Sequence, residues 1–132
     1  MTRPQAPRIL GEEPGSAPVA HRVVWQVADG GVTVHERLLR NLTNLLDELQ
    51  TEGVQVEVVT HGAGLDLLLA NGRAVDTLGD LGERGVVFLA CENTMRRKHL
   101  ASSDLVPGVQ IVPSGVAEVV RRQSAGWGYL RA

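Results

Sequence analysis

The sequence predicts an α/β domain of three layers, with a mostly parallel central sheet and helices on both faces. Three observations carry that expectation. Segments rich in β-branched residues alternate with amphipathic helical segments from residue 21 onward. The run Val86-Val-Phe-Leu-Ala90 is apolar without interruption, as in a parallel strand covered on both faces and therefore central. At 132 residues the chain suits a single domain with a core of its own, needing neither disulfides nor metal.

Taken in order, the elements follow from local chemistry. Residues 22–28, Arg-Val-Val-Trp-Gln-Val-Ala, form a first strand closed by the turn Asp29-Gly30-Gly31. Val34, Leu38, Leu42, Leu45, Leu46 and Leu49 recur at steps of three and four, the signature of an amphipathic helix. Thr33 and Glu36 have the spacing of a capping box at its start, and Gly53 supplies a left-handed stop at its end. Gln55 to Thr60 is a second strand, followed by His61-Gly62-Ala63-Gly64. Leu65–Ala70 and Ala74–Leu81 read as short helices divided by Asn71-Gly72. After the Val86–Ala90 strand, Asn93 or Thr94 caps a helix running to about Leu100. Pro107-Gly108 turns the chain into a fourth strand, Val109–Val112. Ser114 caps a helix whose expected apolar face is Val116, Val119 and Val120, and residues 126–130 make a short terminal strand. Alternation of this kind implies right-handed crossovers between parallel strands.

Composition narrows the function. Thirteen Lys and Arg against fifteen Asp and Glu leave a formal charge of -2 and a pI near 6.1, which does not suit nucleic acid or an anionic membrane. Trp25, Phe88, Trp127 and Tyr129 offer few surfaces for base stacking. Four of the six prolines fall in residues 1–20, which read as a flexible arm before a domain over residues 21–132. That arm has no apolar run fit for a signal peptide, and no stretch of about 18 apolar residues spans a membrane, so a cytoplasmic protein is expected. A single cysteine, Cys91, excludes an internal disulfide and any multi-cysteine zinc site.

In an open parallel sheet, ligands bind beyond the carboxyl ends of the strands. Those ends carry Asp29-Gly30-Gly31, His61-Gly62, Cys91-Glu92-Asn93 and Pro113-Ser114-Gly115, so the only thiol lies on the functional edge. Between a strand and a helix start, Cys91 feels free N–H groups and the positive helix end, both favouring thiolate. Arg96 and Arg97 add to this and Glu92 opposes it. The position equally suits a small buried hydrophobe. His61 is on the same edge, either as a proton carrier or as a solvated loop residue. His99 reads as a partner of a helix C-terminus, and His21 and His35 are expected to carry no chemistry. Gly62-Ala63-Gly64 lacks the third glycine of a dinucleotide loop, Leu67 standing in its place. Arg96-Arg97-Lys98-His99 reads as a solvated helix end, and Trp127 and Tyr129 as packing residues.

Several short motifs occur together in order: Phe88-Leu-Ala-Cys91-Glu-Asn-Thr-Met95, Asp104-Leu-Val-Pro-Gly-Val109, Val112-Pro-Ser-Gly-Val116, and Gln123 with Gly126-Trp-Gly-Tyr129. Together they resemble the DsrE/DsrF-like sulfur-relay family (DsrE/F/TusD-type), closest to its small stand-alone members, from about Arg22 onward. The resemblance implies a flavodoxin- or Rossmann-like topology and a homo-oligomer, trimeric or hexameric, with the cysteine near a subunit boundary. It also implies that Cys91 accepts sulfane sulfur as a persulfide from a donor protein and passes it to an acceptor. Glu92, Asn93, Thr94, Ser114 and Gly115 are then the candidate binding residues, His61 is a candidate binding residue and proton carrier, and no metal or organic cofactor takes part. Glu92 departs from the small residue common at its position and sets a carboxylate beside the thiol. The competing expectation is a non-catalytic oligomeric module that binds a small ligand or partner at the same edge.

Overall fold

The computed structural model describes residues 19–132; of the arm expected over residues 1–20, all but Val19 and Ala20 lie outside the described residues. The elements are β1 (His21–Val27), α1 (Val32–Glu48), β2 (Val54–Thr60), a 3-10 helix (Gly62–Leu68), α2 (Val75–Glu83), β3 (Val87–Cys91), α3 (Glu92–Arg97), a 3-10 turn (Ser102–Asp104), β4 (Gln110–Val112), α4 (Gly115–Ser124) and β5 (Gly128–Arg131). Among the described residues the strands form one sheet in the order β4-β3-β2-β1-β5, with every pairing parallel. The middle strand is β2, not the Val86–Ala90 segment expected there. β3 is interior, between β2 and β4; its unbroken hydrophobicity reports cover on both faces, a property that any interior parallel strand shares.

Side chains alternate across the sheet and give each face its own core. Trp25, Val27, Val56, Val58, Phe88 and Ala90 meet Leu38, Leu42 and Leu46 of α1 and Leu78 and Leu81 of α2 on one face. Each such leucine contributes roughly 1.5–3 kcal/mol by leaving water. On the other face Val24, Val59, Leu89 and Val112 pack against Val119 of α4 and the following Trp127. No helix among the described residues is long and apolar enough to cross a membrane.

The helix ends depart from expectation in informative ways. α1 starts two residues earlier than the capping box placed it: Gly31 is the N-cap, and no side chain caps the helix. The Leu65–Ala70 segment is a 3-10 helix beginning at Gly62, because the chain must turn at once from the end of β2. α3 is capped by Cys91 itself, not by Asn93 or Thr94, and ends at Arg97. On α4 the expected apolar face is wrong. Val119 is buried, but Val116 and Val120 are 57% and 56% exposed, while Gly115 and Glu118 face the sheet. An ion-paired Glu118 and a side-chain-free Gly115 set the helix's rotation, overriding the valines.

Gly64 fixes how the 3-10 helix seats on β1. A methyl group on its Cα would be driven into the Val27 carbonyl, backbone that cannot yield. Gly64→Ala is therefore expected to destabilise the fold by about 1–3 kcal/mol. Urea unfolding followed by circular dichroism checks this, and an unchanged midpoint would show that the loop can move away.

Candidate functional site

Parallel pairing sends the carboxyl ends of β2, β3 and β4 to one edge, which brings His61, Cys91 and the Ser114-Gly115 start of α4 together. Gly115 is the point of convergence. A Cβ added there would lie 3.3 Å from the Cys91 Cβ, the His61 Cβ and Val59 Cγ1. Any larger residue would force these neighbours to shift, and glycine lets the first residue of α4 sit this close with its backbone N–H directed to the sulfur.

Cys91 is 5% exposed. Burial pushes its thiol up, but hydrogen bonds to the sulfur outweigh that: the Gly115 N–H, the Thr94 N–H and hydroxyl, and the Asn93 N–H. The thiol is held below its ordinary value, which favours thiolate. Thr94 is itself 1% exposed and carefully placed. Its Oγ1 accepts the Gly62 N–H at 2.9 Å, which directs its own proton away from that contact and toward the sulfur. Arg97 Nη2 reaches the same oxygen at 3.4 Å.

His61 stands beside this nest in a hydrogen-bonded chain. Tyr129 donates its hydroxyl to Gln26 Oε1 at 2.6 Å, so the Gln26 amide nitrogen donates to His61 Nε2 at 2.8 Å. That pairing assigns the ring proton to Nδ1. Burial lowers the His61 value, and the charges of Arg131 and Arg97 lower it further, so the ring is neutral at neutral pH. The edge thus presents a thiol whose ionisation is favoured next to a neutral imidazole, not a thiolate–imidazolium pair.

Of the residues singled out from sequence, Cys91, His61, Thr94 and Gly115 converge. Asn93 joins through its backbone alone; its side chain accepts a bond from Arg96 at 2.8 Å. Glu92 lies 3.5 Å from Arg96 and is half exposed, so its charge is met from the solvent side. The Ser114 hydroxyl accepts the Ala117 N–H at 3.2 Å and fixes the start of α4. His99 follows the α3 terminus in a left-handed conformation, φ 55°. His21, at the amino end of β1, pairs with Glu52, and His35 bonds the Asp29 carbonyl beyond the carboxyl end of β1. Gln26 and Tyr129 escaped sequence reasoning, because a strand glutamine and a tyrosine 103 residues later meet only through the β1–β5 pairing. Also missed was a buried ionic cluster of Glu57, Glu118 and Arg122. The Gln55-x-Glu57 alternation in β2 and the four-residue Glu118–Arg122 spacing were its available signals.

Comparison with known proteins agrees with this architecture. The model of the DsrE/DsrF-like family matches residues 35–132. Among solved structures, MTH1491 from Methanobacterium thermoautotrophicum, a protein of unknown function, is 36% identical at a TM-score of 0.81, over 85% of this chain and 99% of that one. The ychN protein from E. coli shares the fold at 14% identity and a TM-score of 0.66, over 85% of this chain and 99% of its own. BT1422 from Bacteroides thetaiotaomicron, a conserved protein of unknown function, does so at 14% and 0.67, over 84% and 94%. No curated protein sequence matches the chain.

The Thr94 hydroxyl gives the nest a direct test. Thr94→Val keeps the shape and removes the donor, so the Cys91 thiol should titrate about one unit higher, since hydrogen bonds to charged groups are worth roughly 1.5–3 kcal/mol. Ultraviolet absorbance of the thiolate across pH reads the shift; an unmoved titration would show that the hydroxyl does not serve the sulfur.

Proposed function

The chain belongs to the DsrE/DsrF-like family, and on that premise we propose that it is a sulfur carrier that holds sulfane sulfur as a persulfide on Cys91 and passes it to a partner. One observation carries the reading: the nest of three backbone N–H groups and one hydroxyl around the Cys91 sulfur at the carboxyl edge of the sheet. Such a nest stabilises a sulfur anion without metal or cofactor. The Cys91 thiolate attacks the outer sulfur of a donor persulfide; a new S–S bond forms as the donor's S–S bond breaks, and the donor leaves as a thiolate. In the second half, a partner thiolate attacks the outer sulfur of the Cys91 persulfide, and Cys91 departs as the thiolate the nest already favours. No net oxidation occurs in either step. Neutral His61 offers its Nδ1 proton as a hydrogen bond and adds no charge beside the sulfur. The proposed setting is the cytoplasm, where a free thiol stays reduced.

The burial of Cys91 favours a second reading, a non-catalytic module that binds a small ligand or partner at the same edge. Incubation with a persulfide donor separates the two. The first reading expects Cys91 to gain the mass of one sulfur atom, with loss of the label in Cys91→Ser; equal labelling of both proteins defeats it. Fast alkylation of the native thiol below neutral pH accompanies the first reading, and inertness until unfolding accompanies the second.

We propose further that the chain assembles with copies of itself as a trimer or hexamer. Val116 and Val120 share the outward side of α4, and Tyr129 and Leu130 of the edge strand β5 are 41% and 40% exposed. Light scattering on eluting protein should give a multiple of 14.2 kDa, and a Val116→Glu/Val120→Glu variant should shift it toward the single-chain mass. A wild type at the single-chain mass removes this proposal.

A further inference from the structure

Two carboxylates and one guanidinium lie buried where α4 meets the middle of the sheet, and the sulfur chemistry uses none of them. Arg122 Nη2 is 2.7 Å from Glu57 Oε2, and its Nε donates to Glu118 Oε2 at 3.1 Å. The side chains of Glu57 and Glu118 are 3% and 5% exposed, and that of Arg122 is 12% exposed. The guanidinium lies 4.7 Å from the centre of the Trp127 ring, which closes the cluster from outside. With both carboxylates ionised, the trio carries a net negative charge in a buried interface, an unfavourable arrangement. Glu57 Oε1 receives no hydrogen bond from any described residue.

The surrounding elements do not supply the missing charge. From α4, Arg121 reaches only to 3.9 Å from Glu118, at the exposed rim. From β1, Arg22 is engaged with Gln55 Oε1 at 2.8 Å. Val87 and Leu89 of β3 bring no charge. Cys91 and His61, with Arg131 and Tyr129 of β5, stand at the edge, by the other end of α4. A proton is the remaining means of balance, and the Glu57 carboxyl is within hydrogen-bonding reach of Glu118 to donate it.

We propose that Glu57, Glu118 and Arg122 form a one-proton latch that seats α4 on the sheet and thereby positions the Gly115 N–H against Cys91. Loss of that proton loosens the helix and opens the sulfur's nest. Glu57 is a positioning residue in this scheme; its consequence for Cys91 rests on the sulfur-carrier reading, whereas the latch itself does not. Burial, with help from Glu118 and against Arg122, raises Glu57 from 4.5 to about 7. A carboxyl raised on folding binds a proton that the unfolded chain has released. The latch's contribution is therefore complete below about pH 4.5 and is lost as pH rises through about 7.

Amide hydrogen exchange resolved by residue, corrected for intrinsic base catalysis, tests this on the whole protein. In wild type, the protection of the Gly115 amide and the α4 amides should fall by about tenfold or more between pH 5 and pH 8. In Glu57→Gln, which is neutral and of the same shape, protection should stay level. Glu118→Gln also leaves one carboxylate to one guanidinium and is read by the same criterion should the first variant fail to fold. Parallel pH profiles in wild type and variant overturn the latch. If Cys91 takes no sulfur label while α4 still loosens with pH, the latch stands and the sulfur-carrier reading falls.

Discussion

Much of this structure depends on the contact of one residue without a side chain, Gly115, against the ends of β2 and β3. It delivers a backbone N–H to Cys91, fits tightly between Cys91, His61 and Val59, and begins the helix that covers one face of the sheet. Because α4 starts there, its remaining residues have no freedom of rotation. Glu118 and Arg122 must turn inward over β2, and Val116 and Val120 must turn outward. The cost of burying charge and the exposure of two valines both follow from holding one N–H in place.

The sulfur's environment illustrates competition between burial and hydrogen bonding. Withdrawal from water favours the neutral thiol, and a buried thiol with no donors would be an inert hydrophobe. Four donors reverse the balance. Three are backbone groups, two of them from the first turn of α3, so the six-residue α3 matters less as a dipole than as a bend that aims its free N–H groups. Glu92, the residue most at odds with an anion here, is held outward near Arg96 and leaves the sulfur undisturbed.

Much of the fold was legible because strand and helix periods differ and punctuation by glycine and proline is local. The alternation of Val-rich and Leu-spaced segments placed every strand, and the lone cysteine fell where a strand meets a helix start. Side-chain rotation about α4 was not legible. Hydrophobicity alone put Val116, Val119 and Val120 on one buried face, whereas the helix obeys a close backbone approach and a buried ion pair that exist only in three dimensions. For the same reason Thr33 and Glu36 have a capping-box spacing that the helix does not use; the chain entering from Gly30-Gly31 starts the turn two residues earlier. His61 was recognisable by its place at a strand end, but its neutral, Nδ1-protonated state depends on Gln26 and Tyr129, which local sequence cannot connect.

The partnership of Gln26 with Tyr129 also bears on how the protein is made. The two are 103 residues apart, and β5 pairs with β1, the earliest strand among the described residues to leave the ribosome. At 5–20 residues per second, β1 waits roughly 5–20 s for the strand that covers its edge. Throughout that interval a Val-rich strand carries unpaired amides on one side, the condition under which nascent chains pair with the wrong neighbour. That edge of β1 is closed only once β5 has been made.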